Sequence, residues 1–266
     1  MDLQLKDKHV LITGGSKGIG LACAHVFLQE GARVSLVSRS AATLLEAVQE
    51  LRVACPNAGK SIATFAADLK DPVAALAALD QAEAAAGAVD ILVNSAGAAL
   101  MTAPDDLQAQ SWHDAMDAKY FTYIHMMSPC IKRMGQRGHG VIVNVIGAGG
   151  KVAGISHMAG GAANAALMLV TAGMAAAYGP KGVRVNAVNP GLTLTERLKV
   201  SMAAGAKLAN ISEDEALQRA NARLPLGRVA RPDEIANAVA FLASDKASYI
   251  TGAILSMDGA VTPMVV

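Results

Sequence analysis

Eight residues near the start of the chain, Thr13-Gly14-Gly15-Ser16-Lys17-Gly18-Ile19-Gly20, have the types and spacing of a phosphate-binding loop. They follow a short apolar run, His9–Ile12, and open a stretch with apolar residues at helical spacing, Gly18–Glu30. In such a strand–turn–helix, Gly14 permits the tight turn, Gly18 lets the backbone approach a pyrophosphate, and Gly20 lets the helix pack closely on the strand. The free N–H groups and partial positive charge of the helix start complete an anion cradle, in which Ser16, Lys17 and Ile19 also lie. The end of the following strand discriminates between nicotinamide cofactors. An acidic residue there would bond a ribose 2′-hydroxyl and select NAD. The chain reads Val37-Ser38-Arg39-Ser40, with no acid. Arg39 offers a forked donor for a 2′-phosphate and Lys17 adds a second cation, so NADP is expected in preference to NAD.

These residues need a scaffold, and the rest of the chain supplies its pattern. Strand-like runs at His9–Ile12, Arg33–Val37, Ile62–Ala66, Ile91–Val93, Val141–Ile146, Val183–Val188 and Ala253–Ser256 alternate with helix-like runs. The helical runs are Gly18–Glu30, Ala41–Val53, Pro72–Ala86, Trp112–Met134, Ala162–Tyr178 and Pro232–Ala243. Apolar strands without alternation, separated by helices, imply a parallel sheet covered on both faces. The expected fold is a doubly wound, Rossmann-type α/β domain of about seven strands spanning residues 1–266. The least regular long stretch, Thr195 to Leu226, is polar and carries Glu213, Asp214 and Glu215. It follows a late strand, so it is a candidate lid over the ligand-binding edge.

Composition narrows the function classes. The 266 residues are 53% hydrophobic and 17% charged, with 23 basic against 22 acidic side chains, a net charge of +1. That is core material for a folded domain and no field for a nucleic-acid backbone. Cys23, Cys55 and Cys130 are odd in number and have no metal-ligand spacing, which suits a reducing, cytoplasmic setting. The early charges of Met-Asp-Leu-Gln-Leu-Lys-Asp-Lys argue against a secretory segment. The stretch from Val152 to Pro180 holds no Asp, Glu, Lys or Arg. It is rich in Ala and Gly and interrupted by His157, Asn164 and Thr171, so it reads as a loop and a doubly buried helix rather than a membrane span. The six histidines are scattered without ligand spacing, and no metal site is expected.

The motifs together resemble the short-chain dehydrogenase/reductase family over nearly the whole chain. Thr13–Gly20 resembles its glycine-rich motif, and Asp68-Leu69 its adenine contact. Asn94-Ser95-Ala96-Gly97 is similar to its Asn-Asn-Ala-Gly motif. Asn189-Pro190-Gly191, with Thr193 and Thr195, resembles the segment that holds the nicotinamide amide. Arg184-Val185-Asn186, Leu226-Gly227-Arg228, Pro232-Asp233-Glu234 and Thr251-Gly252 with Asp258-Gly259 resemble its later portions. The resemblance implies hydride transfer between a nicotinamide cofactor and a carbonyl or alcohol, by an Asn, Ser, Tyr and Lys set. All four are replaced. The asparagine position is Lys119, the serine Gly147, the tyrosine Gly160 and the lysine Asn164, with Asn144 and Ala165-Ala166-Leu167 anchoring the register.

Three readings stay open at this point. In the first, the site is rebuilt: Lys119 stands in from the asparagine position, His157 is a general acid with a pKa near neutrality, and Ser156 supplies a hydroxyl. In the second, the chain binds NADP without turnover, as a sensor or the partner of an active subunit. In the third, Lys119 or His157 is the base of an elimination or isomerisation, in space opened by Gly147 and Gly160. Tyr120 and Tyr123 flank Lys119; a tyrosine there could replace the missing phenol, but packing is the expected role. Met116, Met126, Met127 and Met134 read as core or interface fill, and Met257 and Met264 as candidates for a subunit contact. The resemblance implies a homodimer or homotetramer through helices 112–134 and 162–178, with a small-molecule substrate that the sequence does not name.

Overall fold

The computed structural model describes residues 2–58, 61–97 and 101–263, so Met264 lies outside the described residues. The strands are β1 (His9–Thr13), β2 (Arg33–Ser38), β3 (Ile62–Ala66), β4 (Ile91–Asn94), β5 (Gly140–Val145), β6 (Val183–Pro190) and β7 (Ile254–Met257). They form one seven-stranded sheet in the order β3-β2-β1-β4-β5-β6-β7. Every pairing is parallel. The chain runs outward from β1 to β3, then returns to β4 on the other side of β1. The strand order reverses there, and the crevice beyond the C-terminal ends of β1 and β4 is where an open α/β sheet binds its ligand. Thr13 and Asn94 face each other across that point.

Helices α1 (Gly18–Gln29), α2 (Ala41–Ala54) and α9 (Pro232–Ala243) cover one face; α3 (Pro72–Ala86), α5 (Thr122–Arg137) and α6 (Met158–Tyr178) belong to the other. The pleat divides β1 between the layers. Val10 and Ile12 join Phe27, Leu44 and Val239, whereas Leu11 joins Leu79, Met126 and Ile131. Each fully buried Leu, Ile or Phe contributes about 1.5–3 kcal/mol. The methionines Met126, Met127 and Met134 are wholly buried, so they are core fill. All three cysteines are buried and free, and burial pushes the Cys23 and Cys130 thiols up to about 12.

Three expectations are corrected here. The helix expected over Trp112–Met134 is wider and is broken by a π turn: α4 (Ala109–Ala115) passes into Met116–Phe121 and then α5. The Thr122 hydroxyl donates to the Lys119 carbonyl at 2.9 Å, and Gly97 gives the Ala118 carbonyl room, since a Cβ there would collide with that oxygen. The irregular stretch after Thr195 is instead two helices, α7 (Glu196–Ala209) and α8 (Glu213–Ala222). Thr195 caps the first at Leu198 N, Ser212 caps the second at Glu215 N, and the three acids of α8 complement its N-terminus. Finally, α6 is not doubly buried within one chain. Ala159, Ala163, Leu167, Thr171 and Ala175 form its buried stripe, while Leu169 is 76% exposed. By length and composition alone, Ile155–Lys181 could cross a membrane; in this fold its stripe packs against β6.

Candidate active site

The glycine loop turns from β1 into α1 across the switch point. Gly14 N donates to the Val37 carbonyl of β2 at 2.8 Å. Gly20 must be glycine, because a Cβ there would collide with the Gly14 carbonyl oxygen. Gly15 is buried, Ser16 and Ile19 are half-buried, and Lys17 is exposed. The first turn of α1 carries no acid and no side-chain cap, so its positive end is left for a ligand. At the end of β2, the buried Ser38 hydroxyl has no hydrogen-bond partner. Arg39 beside it is exposed, and Ser40 caps α2 at Thr43 N. An orphaned hydroxyl between an open helix start and two exposed cations fits the adenosine and phosphate half of a dinucleotide.

The other expected cofactor contacts fall into two groups. Asp68 is exposed and accepts from Lys70 N at 3.1 Å; Leu69 is buried beside it. Gly191 N is bonded to the Met257 carbonyl, and Thr193 turns its hydroxyl to the Gly191 carbonyl. Thr195 lies over the glycine loop, its Cγ2 3.2 Å from where a Gly18 Cβ would stand. The segment after Pro190 is thereby brought against the cradle. Asn94 is a different case. It is fully buried, accepts from Thr13 Oγ1 at 3.4 Å and donates to Asn144 Oδ1 at 3.0 Å. Asn144 in turn donates to Thr171 Oγ1 at 3.0 Å, which ties β4 through β5 to α6. Ser95 N and Ala96 N both donate to Thr13 Oγ1, which fixes the turn that carries Gly97.

The end of β5 gathers the residues that stand where the resemblance implies chemistry. Lys119, from the π turn, is only 7% exposed. Its Nζ donates to the Tyr123 hydroxyl at 2.7 Å and to the Val145 carbonyl at 3.0 Å, and lies 4.5 Å from the centre of the Tyr123 ring. Burial, with a smaller push from the Arg197 charge, lowers the Lys119 pKa to about 7. At Gly147 a Cβ would be 3.2 Å from Asn164 Nδ2, so Asn164 turns into the space that a side chain at 147 would fill. Asn164 is buried, and its Oδ1 has no partner. A Cβ on Gly149 would meet the His157 ring at 3.0 Å and Asn164 Nδ2 at 3.7 Å, so those two groups share one small region. Gly160 is buried on the same helix.

His157 ends a short turn, Ile155–His157, and its Nδ1 is buried without a partner. Burial lowers its pKa, and the Arg197 and Lys119 charges lower it further, so it is neutral around pH 7. Ser156 is half-buried in the same turn, and its carbonyl accepts from Thr102 N. The structure thus unites Lys119, His157 and Asn164 and adds two residues that sequence reasoning does not assign to the site. Tyr123 reads as packing from sequence, although a tyrosine four residues after a lysine on one helix face is within its reach. Arg197 stands exposed in the first turn of α7, and its charge acts on Lys119 and His157; only the recognition of a helix start at Thr195 would bring it near the site in sequence. Among the described residues, no three His, Cys, Asp or Glu side chains converge on a possible metal position.

Comparison with known proteins places this geometry. The family model described as enoyl-(acyl carrier protein) reductase matches residues 14–262. A 3alpha-hydroxysteroid dehydrogenase of Mediterraneibacter gnavus is 35% identical over 263 residues, 98% of this chain and 99% of that protein. The chain belongs to the short-chain dehydrogenase/reductase family. Among solved structures, the L-sorbose reductase of Gluconobacter frateurii, complexed with NADPH and L-sorbose, matches with a TM-score of 0.93 at 28% identity, covering 100% of both chains. A short-chain oxidoreductase of Pseudomonas aeruginosa, bound to NADPH and described as containing an atypical catalytic center, matches with a TM-score of 0.87 at 29% identity, covering 98% of this chain and 100% of that one. Lys119, Gly147, Gly160 and Asn164, which the resemblance sets at the family's four reacting positions, lie within this family fold.

Proposed function

We propose that this short-chain dehydrogenase/reductase is an NADP(H)-dependent oxidoreductase that interconverts a small carbonyl compound and its alcohol through a rebuilt proton-handling site. The observation that carries this reading is the meeting of a buried lysine, a neutral histidine and an unpartnered asparagine oxygen at the end of β5, beside an intact dinucleotide cradle. The cofactor's glycine loop and the orphaned Ser38 hydroxyl support NADP(H), as do Arg39 and Lys17 at the 2′-phosphate position and the NADPH complexes of similar proteins. When bound, that cofactor supplies or accepts a hydride. The chain's own part is the proton. Lys119, titrating near neutrality, can give one to a carbonyl oxygen in reduction and take it back in oxidation. Asn164 Oδ1 accepts from a hydroxyl and His157 orients a polar substrate group, with Ser156 beside it. Helices α7 and α8 cover the site, and the open faces of α5 and α6 pair with a second copy in a cytoplasmic homodimer or homotetramer.

One observation favours a second reading, a cofactor-binding protein without turnover. Two of the three N–H groups of the Lys119 ammonium are held by Tyr123 and Val145, as in a structural strut. The two readings separate on binding and turnover measured together. NADPH binding is followed by titration calorimetry, and NADPH oxidation is followed over a panel of ketoses, hydroxysteroid ketones and simple ketones. Turnover that is lost in Lys119→Met while binding persists establishes the oxidoreductase. Binding with no turnover on any carbonyl establishes the silent protein.

A further inference from the structure

Lys119 and Tyr123 form a lysine–phenol pair four residues apart. The two side chains are 2.7 Å apart, and both are turned to one backbone acceptor, the Val145 carbonyl. Tyr123 is fully buried and joins Ile146 and Leu167 in a small apolar cluster between α5, the end of β5 and α6. The Val145 carbonyl alone would satisfy a buried packing hydroxyl, yet the phenol oxygen also accepts from the lysine head. Burial raises the phenol's own pKa, so Tyr123 stays protonated and donates to Val145 while accepting from Lys119. The lysine keeps one N–H, and among the described residues no third acceptor reaches it.

We propose that Tyr123 is a positioning residue that pins the Lys119 head at the C-terminal end of β5, so that the remaining N–H serves the reacting oxygen. This rests on the reading of Lys119 as the proton-handling group. The step balances simply. Lys119 gives its proton to the oxygen of the carbonyl being reduced, becomes a neutral amine still held by Tyr123 and Val145, and regains a proton from water. The charged and titratable groups that act on Lys119 are Tyr123 of α5, Arg197 of α7 and His157 ahead of α6. Of these, Tyr123 favours the ammonium by accepting its hydrogen bond, the Arg197 charge opposes it, and the neutral His157 ring adds no charge.

The test is the Lys119 titration in the whole protein without cofactor, read by NMR of 13Cε-labelled lysine in wild type and Tyr123→Phe. Loss of the acceptor lowers the Lys119 pKa by about one unit, tenfold in proton affinity, and the high-pH limb of carbonyl reduction moves down with it. An unmoved titration in a folded Tyr123→Phe protein overturns the inference while leaving the oxidoreductase reading intact. Unchanged turnover in Lys119→Met overturns the reading itself. Should Tyr123→Phe not fold, the reciprocal Lys119→Met variant is read at the 13Cζ resonance of Tyr123. A shift supports the pairing, and a fixed resonance overturns it.

Discussion

At the scale of single residues, four positions depart from the set that the family resemblance implies. Lys119, which the resemblance sets at the asparagine position, is buried, and burial makes its pKa unusual. Its pKa falls from 10.5 to about 7 on folding. Between those values the unfolded chain holds the extra proton and the native chain does not, so native stability rises as pH climbs from about 7 to about 10.5. Urea denaturation over that range should show this rise in wild type and a flatter profile in Lys119→Met. A second prediction concerns Arg39, exposed at the end of β2. Arg39→Ala should weaken NADPH binding about tenfold or more, the value of about 1.5–3 kcal/mol for a hydrogen bond to a charged group, and leave NADH binding nearly unchanged. Calorimetry with both cofactors checks it. Equal losses for the two would remove Arg39 from 2′-phosphate recognition.

At the scale of elements, the strands and the packed helices were legible in the sequence. Pro72–Ala86 and Pro232–Ala243 begin with proline after a capping position, and both helices have the expected bounds. The two helices after Thr195 were missed because their polar composition hides the apolar period. Their signals were local instead: Thr195 and Ser212 at the caps, and an acid at Glu215, the third residue of α8. The π turn was missed because it arises from tertiary contact at Gly97 and from the Thr122 hydroxyl, which no periodicity records. The glycine cradle was legible as a motif. The Lys119–Tyr123 pair was not, since the register of α5 changes inside the π turn. If α7 and α8 cover the substrate, then Ser212→Ala, which removes the α8 cap at a cost of about 1 kcal/mol, should raise KM more than it lowers kcat. Amide exchange should quicken in α8 but not in the sheet. Unchanged KM with faster exchange in α8 would separate these helices from substrate binding.

At the scale of the whole molecule, the parallel sheet places the cradle and the β5 end on one edge, and the strand reversal between β1 and β4 opens the crevice between them. On the flank, α6 leaves Leu169 76% exposed on an otherwise Ala-rich helix. Light scattering should find a homodimer or homotetramer in wild type and a smaller species in Leu169→Glu; a wild-type monomer would contradict this assembly. The central claim is that Lys119 carries the proton of a carbonyl reduction. The most direct measurement is NADPH oxidation with an accepted carbonyl substrate, followed across pH in wild type and Lys119→Met. The account predicts a wild-type rate that falls as pH rises through about 7, and a Lys119→Met rate lower by about 10²–10⁴ with NADPH affinity retained. A Lys119→Met enzyme with the wild-type rate and pH profile would contradict it.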